Sequence, residues 1–170
     1  VRSRCRRLKS TVGLAAIFID YLQLVRPGVL SRGANRNEEL SDICRTLKMT
    51  AKDLGVPIVA CAQLNRGVEL RSEKRPMLAD LRDSGSLEQE ADVVAFLYRD
   101  GYYNPECPEP DLTEFIIAKH RNGPTGTVKL RFQREFTLYL PYGDESHFPP
   151  PEKGSDLADL CVAAALIYHS

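Results

Sequence analysis

Lys119 and Arg121 stand two residues apart, with one residue between them, at the end of the apolar run 115–118, within the stretch EFIIAKHRNGPTGTVKLRF at 114–132. In a strand, residues two apart point to the same side, so the two cations present their heads together. Asn122, Gly123 and Pro124 then force the chain to turn. A pair of cations at a strand end is suited to a phosphate. Yet the sequence contains no glycine-rich phosphate loop of the form G-x-x-x-x-G-K-S/T for the pair to work with. The competing reading is two solvated charges at the start of a hairpin.

Two further polar residues close apolar runs. Asp20 ends the run 14–19, and Gln63 ends the run 57–62. A hydrophobic strand closed by a carboxylate is the form in which phosphate-loop enzymes hold magnesium through water, because the ion keeps most of its hydration shell and needs a rigid anionic oxygen nearby. Asp20 is equally readable as the cap of the turn that follows it. Gln63 is a neutral hydrogen-bonding group and also readable as an ordinary loop residue. Arg99 and Asp100 follow a third apolar run, 93–98. Ligands of open parallel sheets gather outside the carboxyl ends of the strands, so Asp20, Gln63, Arg99 or Asp100, and Lys119 are expected along one rim. A magnesium-type carboxylate, a neutral sensor and a cation together are the equipment of a nucleotide triphosphatase.

The elements that must position these residues follow from periodicity. Residues 1–9 read as the last turns of a basic helix, closed near Gly13, and residues 14–19 as a strand buried on both faces. A loop over 26–37 precedes a helix in which Leu40, Ile43, Cys44, Leu47, Ala51 and Leu54 recur at three- and four-residue spacing. Asn35 and Glu38 form its capping pair and Gly55 its stop. The strand at 57–62 completes a strand–helix–strand unit, which implies a parallel sheet with a right-handed crossover. Residues 65–86 form a long charged loop with at most a short helical piece at 77–81 and a capped turn from Ser86. Its five basic residues (Arg66, Arg71, Lys74, Arg75 and Arg82) are interleaved with acidic ones, the pattern of a solvated loop. After the strand at 93–98 come a proline-rich connection, a strand at 113–118, and a hairpin of 127–132 with 136–140. Residues 143–170 read as linker and tail of unknown role, with one short helix at 157–169. The expected class is α/β, a mostly parallel sheet with a C-terminal β-hairpin.

Composition limits the function classes. The 43% apolar content suits a single domain with a core, and a formal net charge of zero excludes a globally basic nucleic-acid binder but not a local basic surface. Arg2, Arg4, Arg6, Arg7 and Lys9 crowd the start, while the stretch from Asp144 is mostly acidic. The five cysteines (Cys5, Cys44, Cys61, Cys107 and Cys161) are scattered and have no C-x-x-C spacing, as expected of reduced thiols in a cytoplasmic protein. No apolar run reaches the roughly eighteen residues of a membrane span, and the basic start is not a signal peptide.

Three segments in this order, IFIDYLQLV (17–25), GVPIVACAQLNRGVELRSEKRPMLADLRDSGSLEQEADVV (55–94) and AKHRNGPTGTVKLRF (118–132), resemble the carboxyl-terminal ATPase domain of DnaB-type replicative helicases, a RecA-like P-loop NTPase core. The resemblance covers about residues 2–140, and the long middle segment is its most specific part. It assigns residues 1–142 to the carboxyl-terminal part of that domain. It implies a homo-hexameric ring that hydrolyses ATP with Mg2+ to move along single-stranded DNA, working with a primase and a helicase loader. By the same resemblance Asp20 belongs to the Walker B strand, Gln63 senses the γ-phosphate, and Arg82, Asp83 and Gly85 lie on the loop that follows the DNA backbone. Lys119 and Arg121 match a basic finger pair that reaches the nucleotide of the adjacent subunit, with His120 between them where relatives often carry glutamine or asparagine. Asp83 stands where many relatives carry glutamate.

The phosphate loop and the acidic residue that activates water in this family are expected upstream of Val1, so this chain is expected to carry about half of its own catalytic site and to be inactive alone. A rival reading is a non-enzymatic remnant that serves as an oligomerisation or single-stranded-DNA-binding piece, and a further one is a recombination or clock ATPase of the RecA-like group. Taken by itself, the chain is expected to be poorly stable, with an unpaired sheet edge and an uncovered apolar face.

Overall fold

The three- and four-residue spacing of apolar side chains becomes helix α2 (Arg36–Leu54), which buries Leu40, Ile43, Cys44, Leu47, Thr50, Ala51 and Leu54 along one stripe. Gly55 ends it in the left-handed conformation at φ 56°, a geometry that costs glycine nothing. The computed structural model describes residues 2–25, 36–143 and 164–168, with residues 82–86 and 164–168 as backbone alone. Asn35, half of the expected capping pair, and most of the loop over 26–37 lie outside the described residues.

The other elements in chain order begin with α1 (Arg2–Thr11), β1 (Ile17–Ile19) and a 3-10 turn at Leu22–Leu24. After α2 come β2 (Ile58–Ala62), α3 (Gly67–Leu70), a 3-10 stretch at Leu78–Ser84, α4 (Gly85–Glu90), β3 (Val93–Tyr98) and α5 (Asp100–Tyr103). Then follow β4 (Leu112–His120), β5 (Gly126–Gln133), a 3-10 turn at Arg134–Phe136, β6 (Leu138–Pro141) and β7 (Ala164–Tyr168). The strands form one seven-stranded sheet in the order β1-β2-β7-β3-β4-β5-β6.

The strand–helix–strand expectation holds: β1 pairs with β2 in parallel, Ile17 opposite Ile58. β7 pairs antiparallel with both β2 and β3, so β1, β2 and β3 all run one way. From β3 onward every pairing is antiparallel, through β4, β5 and β6. The sheet is therefore mixed by hydrogen bonding, with a parallel set of strand directions in its first half. The C-terminal hairpin is present, its two strands joined through a residue at positive φ, Thr137.

Two expectations change. Residues 164–168, within the expected tail helix at 157–169, instead form β7 in the interior of the sheet. A run of small and branched apolar residues reads equally as strand, and here two unpaired strand edges are available to it. Likewise β1 is not buried on both faces. Ile17 and Ile19 pack against the core, while Phe18, alternating to the other side, is 65% exposed. β1 is the outermost strand, and its second face is left open to water.

The core lies between the sheet and the α2–α4 layer. Leu87 and Ala91 at the α4 end meet Leu22, Leu47, Ile58, Val94 and Phe96, all almost free of solvent contact. Burying each large apolar side chain of this kind stabilises the fold by about 1.5–3 kcal/mol relative to exposure. The segment 65–86 is more ordered than a loop. Arg71 grips the Asp80 carboxylate with both terminal nitrogens at 3.0 and 2.9 Å, Asp80 accepts the Met77 amide at 2.8 Å, and Arg75 pairs with Glu114. These charges thus pair within the segment and with the sheet.

Because β7 supplies the partner of both β2 and β3, a chain ended at Gly143 is expected to lose that strand and self-associate through two open edges. Sedimentation velocity of the two lengths at matched concentration tests this; a monomeric truncated chain would contradict it.

Candidate functional site

Asp20 and Gln63 follow the ends of neighbouring parallel strands, so they share the carboxyl rim of the sheet as expected. Asp20 is exposed and has no ion-pair partner among the described residues. Its charge reaches Cys61, whose thiol pKa is pushed up by burial first and by Asp20 second. Gln63 is held by a residue that no sequence pattern singles out. Gln23, on the 3-10 turn after Asp20, receives the Gln63 amide at 3.4 Å and donates to the Gln63 carbonyl at 3.3 Å. Arg36 in turn donates to the Gln23 carbonyl at 2.7 Å. The motif DYLQL therefore carries both the carboxylate and the brace for the second strand end.

Next along the chain from Gln63, Leu64 forms part of the wall of a cavity of about 250 Å³, together with Val68, Lys74, Leu97, Tyr98, Arg99, Tyr102, Tyr103 and Thr113. The Arg99 guanidinium lies 4.2 Å over the Phe132 ring and Lys74 lies 5.1 Å over Tyr103. Arg99 Nη1 and Thr113 Oγ1 are buried without a hydrogen-bond partner among the described residues, a costly condition that a polar ligand would relieve. The Tyr98 hydroxyl donates to Asp100 at 2.9 Å, and burial first and that carboxylate second push its pKa up to about 12. Tyr102 and Tyr103 come from α5, a helix too short to leave a periodic signal in the proline-rich connection.

Lys119 departs from the expected common rim. Since β4 runs antiparallel to β3, Lys119 lies opposite Val94 and His120 opposite Val93, at the start of β3. The two cations thus lie at the opposite end of the sheet from Asp20 and Gln63. β3 is six residues long, which separates the two rims by roughly 20 Å. Strict alternation would put Ala118 and His120 on the face that Ile116 shares with the core. A bulge in the pairing intervenes: Ala95 is opposite Ile117 and Val94 is opposite Lys119, so Ala118 is the extra residue. One inserted residue reverses the faces, and Lys119 and Arg121 turn toward α4.

As their spacing implies, the two cations converge. Lys119 Nζ donates to the carbonyls of Gln89 at 3.3 Å and Ala91 at 2.9 Å and also to that of Glu88, while Arg121 Nη2 donates to the Gln89 carbonyl at 3.1 Å. Burial first, and the Arg121 charge second, hold the Lys119 pKa below its usual value. His120 is engaged elsewhere. Its Nδ1 lies 3.2 Å from the Pro124 carbonyl oxygen, and its ring occupies the space a side chain at Gly123 would need. Arg82 and Asp83 belong to the 3-10 stretch and Gly85 opens α4, all placed by backbone alone between the buried Leu81 and Leu87.

Residues 1–140 match the family model described as the DnaB-like helicase C terminal domain. The chain belongs to this family. It is 50% identical over 153 residues to the replicative DNA helicase DnaB of Geobacillus stearothermophilus, covering 88% of this chain and 34% of that protein. It is 53% identical over 140 residues to the replicative DNA helicase DnaC of Bacillus subtilis, covering 82% of this chain and 31% of that protein. The chain thus spans about a third of the length of these curated relatives. Among solved structures, one described as an ATPase domain superposes with a TM-score of 0.78 at 45% identity, over 84% of this chain and 50% of that one. A DnaB-like replicative helicase, solved in a study of its interactions with primase, superposes with the same TM-score of 0.78 and 45% identity, over 84% of this chain and 34% of its own. The fold is the RecA-like ATPase fold of those domains.

The α5 wall of the cavity depends on Gly101, where an added Cβ would collide with the Pro110 backbone. Gly101→Ala is expected to destabilise the chain by about 1–3 kcal/mol through this overpacking, read as a lower urea midpoint. An unchanged midpoint would show that the Pro110 backbone yields freely.

Proposed function

We propose that this chain is the carboxyl-terminal part of an ATP-dependent replicative DNA helicase, a ring of six copies that hydrolyses ATP between subunits to move along single-stranded DNA and unwind duplex ahead of replication, in the cytoplasm at the fork. The observation that carries this reading is the separation of Lys119 and Arg121 from Asp20 across one sheet. Within a single chain they cannot reach the same phosphate. In a head-to-tail ring, each copy can offer its cations to the nucleotide on the next, and repetition of one heterologous contact closes such a ring when the rotation per copy is one sixth of a turn.

In this reading Asp20 supports Mg2+ through water. An exposed carboxylate with no ion-pair partner fits that role, and among the described residues no cluster of three metal-ligating side chains exists to bind the ion directly. Gln63, braced by Gln23, reports the γ-phosphate. The tyrosine-walled cavity, with its unpartnered Arg99 and Thr113 atoms, accepts the planar, polar nucleoside. Arg82, Asp83 and Gly85 follow the DNA backbone, where main-chain amides hold phosphates without sequence preference. Lys119 and Arg121 stabilise charge on the neighbour's transferring phosphoryl group, with His120 securing the turn beyond them. Primase, by analogy with the solved helicase studied with primase, and a loader are the protein partners in this reading.

The test uses the intact hexameric protein. Lys119→Ala or Arg121→Ala is expected to lower DNA-stimulated ATP turnover steeply, by up to the order of 10³–10⁵ for a cation acting in trans, while nucleotide affinity stays within about twofold. Turnover equal to that of the parent protein would refute the assignment.

A further inference from the structure

For a cation offered across a subunit boundary to answer to DNA, something must join the DNA-following segment to the cation, and Asp92 stands at that junction. It lies between the end of α4 and the start of β3, and it is 7% exposed. Its carboxylate accepts from Lys48 on α2 and lies 3.3 Å from Arg121 Nε. Its own carbonyl accepts the Arg121 amide at 2.8 Å. Arg121 is thus gripped through both main chain and side chain by one residue.

Lys119 is tied to the same place. An ammonium group has three donors, and the carbonyls of Glu88, Gln89 and Ala91 are three acceptors. The last carbonyls of a helix lack partners within it, so the two cations cap α4. α4 itself is six residues, about 9 Å long, and begins at Gly85, with Leu87 wholly buried against the core. Any displacement of the 82–85 backbone along this short rod must carry the carbonyl cluster, and the cations bound to it, or break those hydrogen bonds.

We propose that Asp92, with the carbonyls at the end of α4, is a positioning cradle that couples the segment 78–90 to Lys119 and Arg121, so that engagement of single-stranded DNA by one subunit sets the cations it offers to its neighbour's nucleotide. Asp92 touches no substrate; it acts through Arg121. This coupling rests on the finger role proposed above for Lys119 and Arg121.

The experiment measures ATP turnover of the intact hexamer with and without single-stranded DNA, together with KM for ATP and the urea midpoint. Asp92→Asn keeps size and shape but removes the charge facing Arg121. It is expected to leave DNA-free turnover and KM within about twofold and to cut the DNA stimulation about tenfold, the range of coupling between linked sites. Lys48→Met is the control, since it removes a second cation from Asp92 and leaves the grip on Arg121; it should keep the stimulation even if the midpoint falls. Asp92→Glu, which keeps the charge but shifts it relative to Arg121, serves if the asparagine variant fails to form rings, and an intermediate stimulation is expected. Stimulation unchanged in the Asp92 variants, or lost equally in Lys48→Met, overturns the cradle. If Arg121→Ala itself leaves turnover intact, the finger reading fails instead, and the two failures are told apart.

Discussion

The antiparallel pairing of β4 with β3, with Ala118 inserted in it, fixes where the charges of the site lie. Were β4 parallel to β3, Lys119 would share the rim of Asp20 and Gln63, and one chain would hold cations and carboxylate together. The reversal sends the cations to the far rim, and the inserted residue then turns them to the face of the sheet that α4 covers. Backbone hydrogen bonding, a local property of one strand pair, thereby decides that catalysis of the proposed kind needs a second copy of the chain.

The ionic pairs that support this arrangement differ in weight. Arg2 and Arg6 meet Asp53 at the exposed surface, where such pairs contribute little. The Asp92 and Asp80 carboxylates are nearly buried, each with a cation partner, and at such positions loss of one partner is far more damaging than the pair is favourable. These two carboxylates sit near either end of the segment 78–90. One ties its start to Arg71 and the Met77 amide, and the other ties its end to α2 and to the turn after β4.

Much of the fold is legible in the sequence because it rests on periodicity. The apolar stripe of α2, the strands at β2 and β3, the helix stop at Gly55 and the common rim of Asp20 and Gln63 all follow from spacing and end residues. The pairing sense of β4 does not, since a strand entered from a proline-rich connection can run either way and its alternation looks the same. A bulge is invisible for a similar reason: Ala118 is small enough to suit either face. Gln23 escapes because its contribution is to another residue's main chain, which leaves no pattern. The tail strand escapes because its residues favour helix and strand nearly alike, and the deciding factor is a pair of vacant edges contributed by residues remote in sequence.

That tail strand has a consequence for how the molecule is made. β7 fills the middle of the sheet, yet in the chain it follows all of β3 to β6. Synthesis proceeds from the amino end, so β2 and β3 emerge well before the strand that joins them. Contacts between such distant segments are slow to form, because the connecting chain must first give up its freedom. During that interval the nascent protein carries two apolar strands with facing, unsatisfied backbones. Of the described strands, the one in the middle of the sheet is thus the last in chain order.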